Sequence, residues 1–246
     1  MADKSKIEWT ETTWNPVTGC SKISKGCQNC YAERYANRLR EMGVKKYCDG
    51  FAVKMHPNEV SRPVSWKGKR LVFVNSMGDL FHDDVSLSFI QSVFDIMALA
   101  NRHIFQVLTK RGSRLRKLSP KLKWSDNIWM GVTVEAADYV DRIDDLHSTG
   151  AKVKFLSLEP LLSALPELPL AGIDWVIVGG ESGPGARQME AEWVREIRDN
   201  CEIAKTSFFF KQWGGVNRKK SGRLLDGRYW DEMPHKRNEK KSALLF

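Results

Sequence analysis

The sequence predicts an α/β fold: a partial or closed parallel β/α barrel, TIM-like, of about six to seven units, followed by a C-terminal hairpin. Two observations predict this fold. Short apolar runs alternate along the chain with segments of helical spacing, which is the pattern of a parallel sheet with its helices packed outside. The runs are also apolar almost throughout, as is typical of strands covered on both faces. With 246 residues, the chain is long enough to bury one such core.

Six strands are predicted from short apolar runs rich in β-branched and aromatic residues, at 70–75, 103–108, 128–132, 152–156, 174–178 and 207–210. Apolar residues at helical spacing predict helices at 86–100, 136–148 and 190–201. A basic segment at 113–118 follows the second of these strands.

The segment before the first clear strand also contains periodic elements. A short strand is expected within residues 8–17, and a helix is expected over 27–42. The apolar stripe of this helix is interpreted as Tyr31, Tyr35, Leu39 and Met42. Residues 43–69 form a long polar connection, interpreted as a lid or a loop that contacts substrate.

The pattern changes after residue 214. Asp226 and Gly227 stand between apolar residues, a strong signal for a two-residue hairpin turn. The chain is therefore divided into a barrel at 1–216 and a C-terminal hairpin with a basic tail at 217–246.

Charge and composition limit the classes of function. The chain carries a net charge of +9, which fits either plain solubility or a nucleic-acid or phosphorylated partner. We find neither a signal-peptide pattern nor an apolar run of membrane-spanning length, so a cytoplasmic protein without a membrane partner is expected. In that compartment the five cysteines are expected to be reduced, metal-bound or catalytic.

Three of the cysteines form a compact motif near the start of the chain. Cys20, Cys27 and Cys30 have the spacing Cys-x6-Cys-x2-Cys. Three thiolates can hold a metal centre and leave one coordination position open, as a catalytic centre requires. A structural zinc site is the alternative, and its fourth ligand would come from Cys48, His56 or Cys201. The second Cys-x2-Cys or His pair that is typical of zinc sites is absent from the sequence.

Polar residues follow every predicted strand. They occupy positions 75–79, 109–111, 133–135, 157–160, 179–183 and 211–214. In a parallel barrel the carboxyl ends of all strands meet at one rim, where active sites lie. The sequence therefore predicts a shared functional rim.

A cysteine triplet at the start of a β/α barrel resembles the radical S-adenosylmethionine superfamily. More closely, five segments together resemble a phage and prophage family of radical-SAM-like proteins with no assigned substrate. These are WNPVTGC at 14–20, CQNCYA at 27–32, LSLEPL at 156–161, GGESG at 179–183 and FFKQWG at 209–214. The usual superfamily spacing is Cys-x3-Cys-x2-Cys, and the Gly-Gly-Glu often found after the second strand is here replaced by SMGD at 76–79.

The resemblance implies two cofactors. Cys20, Cys27 and Cys30 would each bind one iron of a [4Fe–4S] cluster, and the fourth iron would chelate S-adenosyl-L-methionine. Reductive cleavage would yield a 5′-deoxyadenosyl radical that takes a hydrogen atom from the substrate. A flavodoxin- or ferredoxin-like electron donor is expected. Nucleic acid or a nucleotide is a possible substrate.

The resemblance also gives the rim residues hypothetical roles. Ser76 and Asp79 are the candidates for the methionine ammonium group, and Thr133 and Glu135 for the ribose hydroxyls. Gly179 and Gly180 would let the backbone approach the cofactor. Glu159 and Lys211 would face the substrate as catalytic residues. Two alternatives stay open at this point: a zinc-stabilised nucleic-acid-binding protein, and a metal-independent barrel enzyme whose cysteines are incidental.

Overall fold

The structure is a computed structural model that describes Ser5 and residues 7–234. Nine strands occur in this part of the chain: β1 Thr12–Trp14, β2 Val17–Thr18, β3 Lys54–Met55, β4 Leu71–Val74, β5 Ile104–Thr109, β6 Ile128–Thr133, β7 Val153–Leu158, β8 Trp175–Gly179 and β9 Ser207–Gln212. Seven of them form one parallel sheet in the order β1-β4-β5-β6-β7-β8-β9. The sheet curls into a partial TIM-like barrel, which confirms the predicted fold class. The two remaining strands, β2 and β3, pair antiparallel.

Six helices lie between strands and a seventh follows β9: α1 Tyr31–Glu41, α2 Pro57–Val60, α3 Leu87–Leu99, α4 Gly112–Leu118, α5 Arg142–His147, α6 Ala191–Ala204 and α7 Arg218–Ser221. Helix α3 begins where the Ser86 hydroxyl accepts a hydrogen bond from the Phe89 backbone N–H, 3.3 Å away. Among the described residues, no helix combines the length and the apolar character needed to span a membrane.

Side chains on the two faces of the sheet enter different clusters, because successive strand residues point to opposite sides. On β8, Val176 and Val178 belong to the large outer cluster that packs against the helices. Trp175 and Ile177 belong to a smaller inner cluster. Both faces are therefore covered, as the apolar strands predicted.

The inner cluster is an aromatic floor at the start of the strands. Its members are Trp9, Phe73, Trp129, Phe155, Trp175, Ile177 and Phe209. Trp9 packs edge-on against Phe73 with ring centroids 4.6 Å apart. Further along the strands the inward positions become polar, for example Ser157 and Glu159 after Phe155 on β7. The chain thus builds an apolar base below a polar cavity.

The predicted strands all occur, with their ends shifted by one or two residues, but three helical segments differ from prediction. The basic segment 113–118 lies in α4, residues 136–148 form a short 3₁₀ turn followed by α5, and the helix predicted over 27–42 begins only at Tyr31. The predicted hairpin turn is present, since Leu225 and Arg228 pair across Asp226 and Gly227, which have φ of 50° and 80°. The basic tail lies outside the described residues from position 235 onward.

The predicted apolar face of α1, made of Tyr31, Tyr35, Leu39 and Met42, is wrong for three of its four residues, and only Leu39 is half-buried against the neighbouring cluster. Tyr31, Tyr35 and Met42 are exposed, whereas Ala32 and Ala36 form the face that packs inward. The helix is amphipathic, but small residues make its buried face because it lies close to the segment around Tyr47 and Met77.

Candidate active site

A cavity of about 760 Å³ opens at the carboxyl ends of the parallel strands. Its walls include the residues after β4, β5, β7, β8 and β9, together with the cysteine motif and the start of α1. Nine of the eleven predicted site residues line it: Cys20, Cys27, Cys30, Ser76, Asp79, Thr133, Glu159, Gly180 and Lys211. Glu135 and Gly179 do not line it. The structure thus brings most of the predicted rim into one cavity.

The three cysteines are held by different local elements. Cys20 follows Gly19, which bridges in parallel to Gly78, and its backbone N–H donates to the Phe51 carbonyl at 3.2 Å. Cys27 ends a 3₁₀ turn, and Cys30 is the residue that precedes the first turn of α1. All three cysteines line the same cavity although nine residues lie between the first and the last.

Charged neighbours act differently on two of these thiols. Burial raises the pKa of Cys20 to about 11, and the Asp79 carboxylate adds to this effect while Arg111 opposes it. Burial alone would also raise the pKa of Cys27. The Lys110 ammonium and the Ser24 hydroxyl outweigh it, so the pKa of Cys27 is lowered. A lowered pKa favours the thiolate, which is the form that binds metals.

Asp79 faces the cavity, but its carboxylate is already engaged by the chain. It accepts hydrogen bonds from the Thr109 hydroxyl at 2.8 and 2.9 Å and from the Phe81 N–H at 2.9 Å. Its second oxygen also lies 3.2 Å from Nη1 of Arg111. That same guanidinium nitrogen lies 3.4 Å from Sγ of Cys20. Asp79 therefore orients Arg111 against the first cysteine.

Glu135 is fully buried and lies beneath the cysteine motif. Its carboxylate accepts hydrogen bonds from Lys110, from the Ser24 hydroxyl and from Arg142, the last at 2.7 Å. Burial would raise the pKa of Glu135, but Lys110 and Arg142 lower it, so the group stays ionised. These contacts favour a role in holding the cysteine motif, and the predicted ribose contact stays a prediction.

Glu159 and Lys211 meet across the strand that separates them. They come from the ends of β7 and β9, and Nζ of Lys211 lies 2.8 Å from Oε2 of Glu159. Between them β8 ends in Gly179, where a side chain would lie 3.3 Å from Oε1 of Glu159. The missing side chain at Gly179 therefore leaves room for the Glu159 side chain. The predicted role of Gly179, a close approach of the backbone to a cofactor, stays a prediction.

Gly180 allows two backbones to cross closely. A Cβ at this position would collide with the Trp213 carbonyl. The Gly180 N–H donates to the Gln212 carbonyl at 3.0 Å, so the ends of β8 and β9 stay paired. This contact explains the glycine by strand packing, and a cofactor contact at Gly180 remains a prediction.

Four polar atoms of cavity-lining residues are buried without a hydrogen-bond partner. They are Nε1 of Trp9, Nδ2 of Asn75, Nε of Arg111 and Oε1 of Glu159. Buried polar groups are normally satisfied, so such atoms at a cavity wall fit a polar ligand. Together with three soft sulfur donors, they fit an iron–sulfur cluster accompanied by a polar cofactor.

The candidate zinc ligands lie elsewhere. Cys201 is fully buried on α6 in the outer cluster. Cys48 is exposed beside Lys54, and Nε2 of His56 lies 2.8 Å from the Thr18 hydroxyl. None of the three lines the cavity. Within the described parts of the chain, no group of three or more His, Cys, Asp or Glu side chains is close enough to hold a single metal ion.

Sequence reasoning missed the network that fastens the cysteine motif to the β8 loop. Asn29, between the last two cysteines, donates to Oε2 of Glu181 at 3.0 Å. Arg187 binds both carboxylate oxygens of Glu181, at 2.5 and 2.9 Å. Glu181 is nearly buried and lines the cavity. No sequence signal links these residues, because more than 150 positions separate Asn29 from Glu181.

Comparisons with known proteins place the chain in a family and match its fold. A family model described as "Protein of unknown function (DUF5131)" matches residues 4–234. A search of curated proteins found no match.

Among solved structures, a single-residue variant of spore photoproduct lyase is similar, with a TM-score of 0.55 and 12% identity over 87% of this chain and 79% of that chain. Spore photoproduct lyase complexed with dinucleoside spore photoproduct gives a TM-score of 0.47 and 11% identity, covering 81% of this chain and 63% of that chain. A double variant with bound AdoMet and the same dinucleoside gives 0.48 and 9%, with the same coverages. This chain thus spans less than two thirds of the length of the lyase in these two complexes. At 12% identity, the likeness to the single-residue variant with a TM-score of 0.55 shows a shared fold alone.

Proposed function

We propose that this chain, which belongs to the DUF5131 family, is a radical S-adenosylmethionine enzyme that acts on nucleic acid or a nucleotide. One observation carries the proposal: three thiols from a short segment line a single cavity at the carboxyl ends of a parallel β/α sheet. The fold shared with a spore photoproduct lyase variant is consistent with it. The phage or prophage association, the cytoplasmic location and the flavodoxin- or ferredoxin-like electron donor belong to the same proposal.

In this proposal the chain's residues hold, orient and shield the reactants. Cys20, Cys27 and Cys30 would ligate a [4Fe–4S] cluster. When bound, this cluster would supply the electron that cleaves the sulfonium of S-adenosyl-L-methionine. Lys110 places positive charge beside Cys27 and lowers its pKa, and Arg111 partly offsets the effect of burial and Asp79 on the pKa of Cys20.

The polar residues above the aromatic floor would contact the organic ligands. Ser76 and Thr133 line the same cavity as the cysteines and are proposed to bind polar groups of the cofactor. Glu159 and Lys211 present a charged pair to the cavity with one carboxylate oxygen unpartnered, and we assign them to the substrate. The net charge of +9 favours an anionic substrate, which is why nucleic acid or a nucleotide is proposed.

Anaerobic purification followed by reconstitution with iron and sulfide tests the proposal. A brown protein with about four irons per chain is expected. With dithionite, this protein should cleave S-adenosyl-L-methionine to 5′-deoxyadenosine and methionine, as measured by liquid chromatography and mass spectrometry. Each of Cys20→Ala, Cys27→Ala and Cys30→Ala should lose both the iron and the cleavage. Cys48→Ala is the matched control and should keep both, because Cys48 lies outside the cavity lining.

Two results would contradict the proposal. A colourless protein that retains stoichiometric zinc would favour a zinc-stabilised nucleic-acid-binding protein. If the Cys20→Ala, Cys27→Ala and Cys30→Ala variants all keep the enzymatic activity of the wild type, a metal-independent barrel enzyme would be favoured.

A further inference from the structure

Helix α1 presents an outward face that alternates tyrosine and arginine. Tyr31 and Tyr35 are 54% and 51% exposed, and Arg34 and Arg38 are exposed on the same side. Their spacing of i, i+3, i+4 and i+7 forms one continuous stripe on a helix. The opposite side is buried through Ala32 and Ala36. We call Tyr31, Arg34, Tyr35 and Arg38 the α1 stripe.

The α1 stripe begins at the cavity. Tyr31, Arg34 and Tyr35 line the cavity wall, directly after the last cysteine of the motif. The Tyr31 hydroxyl donates to the Ser76 carbonyl at 2.6 Å, which fixes this ring beside the end of β4. Arg34 donates to the Ser182 carbonyl at 2.7 Å and so ties the stripe to the loop after β8. The aromatic rings are therefore positioned, although half of their surface meets solvent.

Positive charge is concentrated in the segment that carries the α1 stripe. Residues 22–46 contain seven Lys and Arg against two Asp and Glu, a net charge of +5. This segment holds more than half of the chain's net charge of +9 in 25 of its 246 residues. Such a cluster, with aromatic side chains beside it, is the pattern of a surface that binds single-stranded nucleic acid.

We propose that the α1 stripe binds single-stranded nucleic acid and delivers one base to the cavity. Tyr31 and Tyr35 would stack on bases, while Arg38, Arg40 and Lys45, which are exposed on or shortly after α1, would contact phosphates. A strand fits better than an acidic electron-donor protein because the tyrosines line the cavity itself, which an electron donor has no need to enter. The inference rests on the proposed function for the reaction and narrows its substrate from any nucleotide to a polynucleotide.

Fluorescence anisotropy of labelled oligonucleotides tests this inference on the full chain. Single-stranded DNA and RNA of about ten nucleotides should bind, and a mononucleotide should compete at least about 100-fold more weakly, because it lacks the added stacking and phosphate contacts. Tyr35→Ala should weaken binding about ten-fold, since it removes one stacking surface. Arg38→Gln should reduce the slope of log affinity against log salt by about one.

Two control variants distinguish binding at the α1 stripe from non-specific binding elsewhere on the protein surface. Tyr229→Ala removes an equally exposed tyrosine outside the cavity, and Lys123→Gln removes an exposed positive charge before β6, at the opposite end of the strands. Both should leave the affinity within about two-fold of wild type. Tyr31→Phe keeps the ring and loses only the hydrogen bond, so it should bind better than Tyr31→Ala.

Several outcomes would overturn the inference. Equal competition by a mononucleotide would point to a free nucleotide as substrate. An unchanged affinity in Tyr35→Ala would mean that the binding is only electrostatic, and equal losses in Tyr35→Ala and Tyr229→Ala would mean that the binding is not localised to the α1 stripe. If Tyr35→Ala and Arg38→Gln instead weaken the binding of flavodoxin and leave oligonucleotide binding unchanged, the stripe docks an electron donor.

Binding is measured alongside the iron content and the cleavage of S-adenosyl-L-methionine on the same preparation. Stripe-dependent binding by a protein that assembles no cluster would uphold this inference and sink the proposed function. A brown, cleavage-competent protein with stripe-independent binding would do the reverse.

Discussion

The carboxylates around the cavity differ in how fully the chain satisfies them. Glu181 has Arg187 and Asn29 as partners, and Glu135 has Lys110, Ser24 and Arg142. Glu159 keeps one oxygen without a partner. A satisfied buried carboxylate stabilises its surroundings, whereas an unsatisfied one costs free energy until a ligand arrives. We therefore interpret Glu181 and Glu135 as positioning residues and Glu159 as a ligand-facing one.

Glu181 should make the stability of the protein depend on pH in the acid range. Burial would raise the pKa of Glu181, but hydrogen bonds from Arg187 and Asn29 outweigh it and lower the pKa to about 2. A lowered folded-state pKa contributes stability that is present above the ordinary value of 4.5 and is lost as the pH falls toward 2. After solvent screening in the open cavity, this contribution is on the order of 2 kcal/mol.

Urea unfolding at a series of pH values measures this contribution. The free energy of unfolding of wild type should exceed that of Glu181→Gln at pH 7, and the difference should shrink between pH 4.5 and pH 2. Glu192→Gln is the control, because Glu192 carries an exposed side chain on α6. A difference that stays constant with pH would show that Glu181 is not held ionised by Arg187.

At the scale of the element, the packing at the ends of β8 and β9 requires two adjacent glycines, for two different steric reasons. Gly180 lets the backbone of Trp213 pass, and Gly179 leaves space for Glu159. Carbonyl groups of a paired strand cannot move without breaking the ladder, but a glutamate side chain can turn aside. The two glycines therefore differ in what a methyl group would disturb.

Gly180→Ala should destabilise the fold by about 2 kcal/mol or more, because the new Cβ would collide with backbone. Gly179→Ala should cost less than about 1 kcal/mol, since only the Glu159 side chain needs to shift. If Glu159 and Lys211 contact the substrate, Gly179→Ala should also lower kcat for the reaction on that substrate, while the iron content stays unchanged. Thermal unfolding and iron analysis of both variants give the comparison. Equal destabilisation by the two changes would refute this account of Gly179.

Helix α1 shows where an element-level pattern misleads. The spacing of Tyr31, Tyr35 and Met42 predicts an apolar face, yet this face is exposed and the small Ala32 and Ala36 are buried. Amphipathicity identifies two faces of a helix, but the partner decides which one is covered. A tyrosine-rich face can be left in water when a ligand surface is needed.

At the scale of the whole molecule, the C-terminal hairpin shares the core of the barrel. Leu225 and Trp230 are buried in the outer cluster, and Trp230 packs edge-on against Phe208 with centroids 5.6 Å apart. The Phe210 N–H donates to the Trp230 carbonyl at 2.8 Å, which joins the hairpin to β9. The division into a barrel and a hairpin at residue 216 stays a prediction. Because the hairpin packs into the core of the barrel, we expect the two parts to unfold in a single transition.

Trp230→Ala should lower the free energy of unfolding by about 3 kcal/mol, because it empties a large buried site. Tyr229→Ala, at a neighbouring exposed position, should change it by no more than about 0.5 kcal/mol. Urea unfolding followed by circular dichroism and by fluorescence should give coincident transitions for wild type. Two separated transitions, with Trp230→Ala shifting only one, would instead support a hairpin that unfolds independently.

The sequence by itself determined the strands, the polar residues at their carboxyl ends and the cysteine motif. These features are local: an apolar run, the polar residue that ends it and a cysteine spacing are each written within a dozen positions. Only the tertiary structure decided which rim residues meet. The pairing of Glu159 with Lys211, the hold of Glu181 on Asn29 and the exposure of the α1 stripe all depend on how the sheet curls. The physical reason is that strand propensity acts along the chain, whereas curvature and packing join residues that lie 50 to 150 positions apart.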